Sequence, residues 1–231
     1  VTVEEVNERI TVSTPVSQAS VYDVFREQIL NDPEVKAAII ENENISGFCS
    51  LPESIVHLNV DKEFDTKGYR RQYKIPQAAH AAVDQQMQQW LDNGKIELAP
   101  MGCPYNSSLV VAPKKDPYGN FTGYRICLDT RLLNQYLISS SVDRFQLPNI
   151  RTVLERFRDC CLFGELDLEQ AYLQFTLDES SRPYTAFSWG GRQYVFVGAP
   201  FGITTLPSIF QRVMCNTLHD LSFTIPYLDN F

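Results

Sequence analysis

The sequence predicts an α+β fold in which helices and antiparallel hairpins are interleaved along one chain. Apolar residues recur at helical spacing in some segments and alternate with polar residues in others. Clusters of glycine, proline, asparagine and aspartate separate neighbouring strand-like segments, as they do in hairpins. The 231 residues are 44% hydrophobic and 21% charged, so the chain can bury an apolar core.

The first segment, residues 1–57, is predicted to be an acidic and partly helical leader. Residues 1–66 contain thirteen acidic and four basic side chains, a net charge of −9. We expect short helices at 21–30 and 33–40 and a loop at 41–47. The leader carries no recognisable chemistry. It could dock a partner, link domains of a longer polyprotein or cover an exposed face.

A basic block follows the leader. Residues 67–158 contain thirteen basic and seven acidic side chains, a net charge of +6, which suits a phosphate-binding surface. A helix is expected from about Gln77 to Asn93, ended by Gly94. Two strands at 108–113 and 124–129, joined by turn-forming residues, predict a hairpin with basic side chains near its tip.

The last third of the chain is predicted to mix helices and strands. Amphipathic helices are expected after Pro148 and at 206–221. The predicted strands are, in order, a buried run at 160–168, an alternating run at 173–177, a hairpin of 184–189 and 192–197, and a final strand at 223–228.

The six cysteines form no C-x-x-C pair and have no histidine at metal-ligand spacing. We therefore expect reduced, mostly buried thiols and no zinc site. No stretch approaches the run of about 18 apolar residues that a membrane span requires, so no membrane partner is expected.

Two aspartates end apolar, strand-like runs. Asp167 follows the run that begins at Leu162, and Asp229 follows the final predicted strand. Taken alone, each fits a strand-end residue that caps the next turn better than a catalytic group. Together, on adjacent strands, they could share two metal ions about 3.5–4 Å apart, the arrangement that phosphoryl transfer uses.

An ordered series of short motifs runs through residues 58–231. The series consists of Pro104–Ser108, Lys114–Asp116, Tyr124–Asn134, Leu147–Pro148, Leu166–Tyr172, Thr185–Phe187, Pro200–Gly202, Pro207–Gln211 and Tyr227–Asp229. In this order and spacing, the motifs resemble the reverse transcriptases of LTR retrotransposons and retroviruses, the Ty3/gypsy type most closely. The resemblance implies a right-hand polymerase fold, with fingers and the first palm helix at 58–158 and a partial palm at 159–231. We expect no thumb and no RNase H domain in this sequence.

The resemblance implies a site for Mg²⁺, with Mn²⁺ as an alternative. Asp167 corresponds to the first metal-binding carboxylate, Asp229 to the first aspartate of the catalytic hairpin, and the backbone carbonyl of Leu168 to a further ligand. Asn230 stands where the family has a second aspartate, so this catalytic position is degenerate. An amide coordinates a hard cation through a neutral oxygen, without the charge that concentrates Mg²⁺.

A nucleotide site is implied by the same resemblance. Lys114 and Arg125 correspond to fingers residues that close on the incoming dNTP, and Tyr172 to the aromatic gate that excludes ribonucleotides. From the residues alone, the two cations could equally be exposed hairpin charges, and Tyr172 would fit a core tyrosine better. Arg131 and Asn134 are expected to stabilise the fold of the fingers.

The remaining implied contacts involve nucleotide and template. Phe201 and Gly202 correspond to the segment that contacts the dNTP, and Lys115 and Tyr227 to contacts with the template–primer. The expected partners are therefore an RNA or DNA template–primer and dNTPs, with a homo-oligomer or further polyprotein domains as additional partners. The resemblance implies an intracellular location, in a cytoplasmic particle or the nucleus.

The expected function is that of an RNA-directed DNA polymerase, a nucleotidyltransferase that extends a primer on a template. Two alternatives remain open. Because of Asn230, the chain could be a catalytically impaired or truncated remnant that binds nucleic acid or protein. In a third, structural hypothesis, the acidic leader binds the basic fingers and forms oligomers.

Overall fold

The computed structural model describes residues 26–138, 143–158, 160 and 163–231. The chain forms two compact units. Unit 1 combines Val1–Ser46, Gln146–Glu169 and Met214–Phe231, and unit 2 combines Gly47–Phe145 and Gln170–Val213. Each unit draws on separate stretches of sequence, and the predicted domain boundaries after residues 57 and 158 stay predictions.

Short helices and strands alternate along the described chain. The helices with both ends described are α1 (Pro33–Asn44), α2 (Phe64–Lys67), α3 (His80–Asp92), α4 (Arg131–Tyr136), α5 (Ile150–Arg156) and α6 (Leu206–Thr217). The strands are β1 (Ile55–Val56), β2 (Ile96–Leu98), β3 (Leu109–Lys115), β4 (Phe121–Leu128), β5 (Thr176–Leu177), β6 (Phe187–Trp189) and β7 (Arg192–Phe196). Among the described helices, none is both long and apolar enough to cross a bilayer.

The core of unit 2 lies between α3 and an antiparallel sheet of order β2-β7-β6. One face of α3 buries Val83, Met87 and Trp90. The Trp90 ring meets the rings of Phe187 and Phe196 edge-on, with centroids 6.5 and 5.1 Å away. The predicted helix is confirmed over His80–Asp92, after a 3-10 turn at Gln77–Ala79. The predicted hairpin is confirmed as β6 and β7, but β6 begins at Phe187 because Arg182–Thr185 form a 3-10 turn.

β3 and β4 form the predicted basic hairpin, paired from Leu109 opposite Leu128 to Lys115 opposite Phe121, with a shift of register between Lys114 and Lys115. The turn between them is built around Asp116. Its carboxylate accepts the N–H groups of Tyr118 and Asn120, at 2.9 and 2.8 Å, and the Asn120 side-chain amide. Aspartate commonly closes a turn in this way. β3 extends to Lys115 rather than ending at 113.

The segment predicted as an alternating strand at 173–177 is helical in its first half. A 3-10 turn covers Ala171–Gln174, and only β5 pairs as a strand, in parallel with β1. Burial nevertheless alternates, with Ala171, Leu173, Phe175 and Leu177 inside. The alternation therefore identified the buried side chains correctly but not the backbone conformation.

α6 begins where the sequence predicts it, at Leu206, and ends at Thr217 rather than 221. Leu206, Phe210 and Val213 are buried in the core of unit 2. Arg212 on the same helix forms an ion pair with Asp143 and lies over the Phe145 ring, 5.3 Å from its centroid. This contact fixes residues 143–145 against α6.

The start of unit 2 is held by a buried lysine. Lys95 is 8% exposed, its ammonium donates to the Gly47 carbonyl, and it lies 4.1 Å from the centroid of the Phe48 ring. Burial lowers the pKa of Lys95 because the charged form is poorly solvated there. The Cys49 N–H donates to the Gln174 carbonyl at 2.8 Å, so residues 47–49 pack on the body of unit 2.

In unit 1, α1 is longer than predicted. Asp32 caps its N-terminus by accepting the N–H groups of Glu34 and Val35, and Pro33 occupies the first turn. The helix continues to Asn44, so the predicted loop at 41–47 is wrong for its first half. The part of the helix predicted at 21–30 that precedes residue 26 lies outside the described residues.

Two predicted strands of unit 1 are wrong. The described part of 160–168 and the segment 223–228 form isolated bridges rather than continuous strands, and Leu166 is 47% exposed instead of buried. Pro226 has no N–H to donate to a ladder, which shortens any strand that contains it. α5 starts after the N-cap Asn149, and its apolar residues Ile150 and Leu154 are exposed rather than in a core.

The five described cysteines carry free thiols. Cys49, Cys103, Cys127 and Cys215 are half-buried and Cys160 is exposed. The expectation that most are buried is therefore wrong for these residues, and Cys161 lies outside the described part of the chain.

Candidate active site

Asp167 and Asp229, the two aspartates of the predicted site, lie on neighbouring segments of unit 1. Asp167 and Asn230 form an antiparallel bridge. On either side, Leu168 donates its N–H to the Asp229 carbonyl at 2.9 Å, and Leu166 exchanges two hydrogen bonds with Phe231, at 2.8 and 3.0 Å. Residues directly opposite in such a pair have Cβ atoms about 4.5–5.5 Å apart, so Asp167 lies beside Asn230.

Asp229 lies at the tip of a tight hairpin turn. Tyr227 and Asn230 exchange backbone hydrogen bonds of 2.7 and 3.1 Å, which leaves Leu228 and Asp229 as the two central residues. Leu228 has a φ of +56°, in the left-handed region. This conformation is energetically unfavourable for a residue with a bulky side chain. A positive φ at the first central position is typical of the hairpin turns that join antiparallel strands closely.

The candidate metal ligands on this turn and the neighbouring segment form a set of hard oxygen donors. It comprises the carboxylates of Asp167 and Asp229, the backbone carbonyl of Leu168 and the amide Oδ1 of Asn230. Asn230 Oδ1 is buried and has no hydrogen-bond partner. Buried polar atoms normally have a partner, so this oxygen is a candidate cation ligand. The described residues contain no cluster of three or more histidine, cysteine, aspartate or glutamate side chains suited to a metal. The geometry of these residues thus does not itself show a metal site. The donor type alone suits Mg²⁺, since all the candidate donors are oxygens, with one negative charge fewer than three carboxylates would provide.

In unit 2, the β3–β4 hairpin presents Lys114 and Arg125 on one face. Lys114 lies opposite Gly123 and Arg125 opposite Ala112, so the two cations are cross-strand neighbours. Burial raises the pKa of the Cys127 thiol, and the charges of Arg125 and Lys114 oppose this increase, which agrees with their position on one face. Neither cation takes part in an ion pair with another described residue. Lys115 points to the opposite face.

Tyr172 is half-buried in an aromatic cluster of unit 2. Its ring centroid lies 5.2 Å from that of Phe201 and 5.2 Å from that of Phe210, both in edge contact. Phe210 is buried in the core, whereas Phe201 is 41% exposed. Tyr172 thus contacts both a core ring and an exposed ring. Its burial lies between that of a core tyrosine and that of a residue that faces solvent at a binding site.

The loop that carries Phe201 and Gly202 is fixed by α4. Gly202 has a φ of +94°, and a Cβ there would lie 2.8 Å from Thr130 Oγ1. Asn134 donates its side-chain amide to the Gly202 carbonyl at 2.8 Å, and its Oδ1 accepts the Thr204 N–H at 3.1 Å. Asn134 was predicted only to stabilise the fingers, and its contact with this loop was missed because its partners are 68 and 70 residues away.

The predicted site residues thus form three groups. Unit 1 brings together Asp167, Leu168, Tyr227, Asp229 and Asn230. Within unit 2, Lys114 and Arg125 form one group and Tyr172, Phe201 and Gly202 another. The predicted site roles of all these residues stay predictions.

Comparison with known proteins identifies the family. Residues 112–231 match the model of the family described as reverse transcriptase (RNA-dependent DNA polymerase). The Pol polyprotein of transposon 297 from Drosophila melanogaster is 35% identical over 164 residues, covering 70% of this chain and 15% of that protein. The Pol polyprotein of transposon gypsy from the same organism is 35% identical over 162 residues, covering 69% and 15%. The chain therefore spans about 15% of the length of these curated relatives.

Solved structures share the fold. A foamy viral protease-reverse transcriptase in complex with double-stranded DNA superposes with a TM-score of 0.67 at 19% identity, covering 99% of this chain and 36% of that one. The foamy viral protein in complex with an RNA/DNA hybrid gives a TM-score of 0.67 at 18% identity, covering 99% and 28%. The predicted α+β reverse-transcriptase fold is confirmed, and the chain belongs to the reverse transcriptase family of LTR retroelements, with relatives of the gypsy type.

Proposed function

We propose that this chain is the polymerase module of a retroelement reverse transcriptase, which adds dNTPs to a primer by two-metal phosphoryl transfer. Membership of the reverse transcriptase family supports the reaction class. The observation that carries the proposal is the bridge between Asp167 and Asn230, because it aligns one acid with a tight turn that presents a second acid, Asp229.

Asp167, Asp229 and the Leu168 carbonyl would hold the divalent cations. When bound, Mg²⁺ or Mn²⁺ would lower the pKa of the primer 3′-hydroxyl and stabilise the charge on the leaving pyrophosphate. The protein contributes the fixed spacing of its donors, since the hydrogen bonds from Leu166 and Leu168 hold the two segments side by side. Asn230 would supply a neutral oxygen to the same cations.

The hairpin cations and the aromatic cluster would bind the nucleotide. Lys114 and Arg125 would contact the triphosphate, and the planar guanidinium of Arg125 can contact two phosphate oxygens at once. Tyr172, wedged between Phe201 and Phe210, would limit the space at the 2′ position of the sugar. Asn134 would keep the Gly202 backbone in position for the same substrate.

The template–primer is the proposed macromolecular partner. Contacts from Lys115 and Tyr227 would go to the nucleic-acid backbone, because base pairing selects the incoming nucleotide. The curated relatives are Pol polyproteins, so we propose that further domains of such a polyprotein accompany this module. An intracellular site of action, in a cytoplasmic particle or the nucleus, follows from this proposal.

A primer-extension assay tests the activity. Extension that depends on Mg²⁺ or Mn²⁺ and disappears in Asp167→Asn supports the polymerase. Asp220→Asn is the matched control, because Asp220 is an exposed aspartate of unit 1 that pairs with His219. Extension that survives Asp167→Asn would contradict the proposed role of this acid.

The second candidate function is an impaired module that binds nucleic acid without efficient catalysis. The uncharged, buried Oδ1 of Asn230 favours it, since the site carries one negative charge fewer. Asn230→Asp should then tighten Mn²⁺ binding, measured by calorimetry, and raise extension together. If Asn230→Asp changes neither quantity, this residue does not limit activity.

A further inference from the structure

The β3–β4 hairpin contains a β-bulge that changes which side chains share a face. Pro113 lies opposite Tyr124 and Lys114 opposite Gly123, but Lys115 then lies opposite Phe121. Thr122 is the extra residue. In a regular ladder Phe121 would project on the same face as Arg125, because side chains alternate. The bulge moves Phe121 to the other face.

Ring contacts agree with this change of face. The rings of Phe121 and Tyr124 are in edge contact, with centroids 4.9 Å apart. Lys115 alternates with Lys114 and therefore shares the face of these two rings. We call Lys115, Phe121 and Tyr124 the aromatic face of the hairpin, opposite the face that carries Lys114 and Arg125.

The aromatic face at the tip is not part of the core. Nearer the base of the hairpin, the same side buries Leu109, Ile126 and Leu128. At the tip, by contrast, Phe121 is 58% exposed, and Tyr118 in the connecting turn is 90% exposed. Two exposed aromatic rings at the end of a hairpin contribute little to folding and suit binding to an external partner.

The surrounding charge favours a polyanion. Among the described residues, no ion pair neutralises Lys114, Lys115 or Arg125, and the hairpin contains one acid, Asp116, whose carboxylate accepts hydrogen bonds from its own turn. Exposed rings beside unpaired cations are the combination that binds single-stranded nucleic acid, by stacking bases and contacting phosphates. Paired bases in a duplex have no free face for such stacking.

We propose that the aromatic face binds unpaired nucleotides of single-stranded RNA or DNA, with a base stacked on Phe121 and a phosphate held by Lys115. The inference rests on the proposed function, since it names the unpaired template as the partner of a surface separate from the nucleotide-binding face. The bulge at Thr122 is what divides the hairpin into these two surfaces.

Binding of oligouridylate to the full chain, followed by fluorescence anisotropy, tests the proposal. Phe121→Ala should weaken the affinity about tenfold, the usual effect of removing one stacked ring, and Phe121→Trp should restore it. The matched control is Phe223→Ala, because Phe223 is an aromatic residue of unit 1 that is 84% exposed. It should leave the affinity unchanged.

Unchanged oligouridylate affinity in Phe121→Ala, or an equal loss in Phe223→Ala, would overturn the proposal. Failure of the proposed function has a different result. If oligouridylate binding depends on Phe121 but the chain extends no primer, the aromatic face stands and the polymerase proposal fails. If extension depends on Asp167 but RNA affinity ignores Phe121, the polymerase stands and the aromatic face fails.

Discussion

Asn134 links two parts of unit 2 through a single side chain. Its amide group donates to the Gly202 carbonyl while its Oδ1 accepts the Thr204 N–H, so both ends of the amide are used. Thr130 packs against the same loop and leaves no room for a side chain at residue 202. A loop held in this way can present Phe201 in one conformation, which is what a nucleotide site requires.

Replacing this residue should loosen the loop. Asn134→Ala leaves the Gly202 carbonyl and Thr204 N–H without their side-chain partner, and we expect the free energy of unfolding to fall by about 1 kcal/mol. If the loop positions the nucleotide, the KM for dNTP should rise more than kcat falls. Denaturant unfolding and steady-state kinetics measure the two effects.

The control for Asn134→Ala is Asn44→Ala, which removes a side-chain bond to the Ile40 carbonyl at the end of α1. It should leave the KM for dNTP unchanged. Asn134→Asp keeps the acceptor for Thr204 but sets a carboxylate against the Gly202 carbonyl, so it should behave like the alanine variant. A KM that follows only global stability would contradict a positioning role.

At the scale of elements, sequence patterns predicted the helices and hairpins that depend on contacts between residues close in sequence. Helical periodicity identified α3 and its buried face, and turn-forming residues identified the hairpins β3–β4 and β6–β7. Long-range contacts decided the rest. The apolar run before Asp167 was predicted to be a strand, but the structure pairs it only near its end, where Asp167 bridges Asn230 and Leu166 bonds Phe231. Similarly, no pattern near Asn134 indicates a bond to a loop 68 residues away.

A glycine determines how closely the 3-10 turn of Tyr172 can pack. A Cβ on Gly198 would lie 2.6 Å from the Leu173 carbonyl oxygen and 3.1 Å from the Phe48 ring. Gly198→Ala should therefore displace this turn and lower the free energy of unfolding by about 1–3 kcal/mol, as overpacked cores do. Gly164→Ala is the matched control, because its Cβ would meet no atom within 4 Å. Equal stability of the two variants, measured by denaturant unfolding, would contradict this account.

The ion pair between Arg212 and Asp143 makes the attachment of residues 143–145 to α6 dependent on pH. The Arg212 guanidinium holds the pKa of Asp143 below its usual value. Because the folded pKa is lower than the unfolded one, the pair stabilises the fold above about pH 4, and this contribution is lost as pH falls through the folded pKa.

Arg212→Gln should lower the melting temperature at neutral pH, and the difference from the unchanged chain should shrink in acid. Circular dichroism melts at several pH values measure it. Lys67→Gln is the control, since it removes an exposed pair with Glu63 on one helical turn and should have little effect at any pH. A difference for Arg212→Gln that is constant with pH would mean that its packing over Phe145, rather than its charge, is what matters.

At the scale of the whole molecule, charge is divided along the sequence. The chain has a net charge of −8, yet the acidity is concentrated in residues 1–66 and the excess of basic residues lies in 67–158. A binding surface for phosphates depends on local potential, so an acidic chain can still bind a polyanion through its hairpin. The ordered motifs were enough to predict the family, whereas the effect of the amide at Asn230 requires the metal-binding measurement.

Template–primer binding should therefore weaken steeply with salt, because each Lys–phosphate contact releases counterions from the nucleic acid. Lys115→Gln should reduce the slope of log affinity against log salt concentration by roughly one unit. Lys36→Gln is the matched control, since Lys36 is a lysine of the acidic leader that bonds Asn31. It should leave the slope unchanged. Fluorescence anisotropy titrations measure these slopes, and equal slopes for both variants would show that Lys115 contacts no phosphate. An affinity of the unchanged chain that does not vary with salt would indicate a protein partner instead.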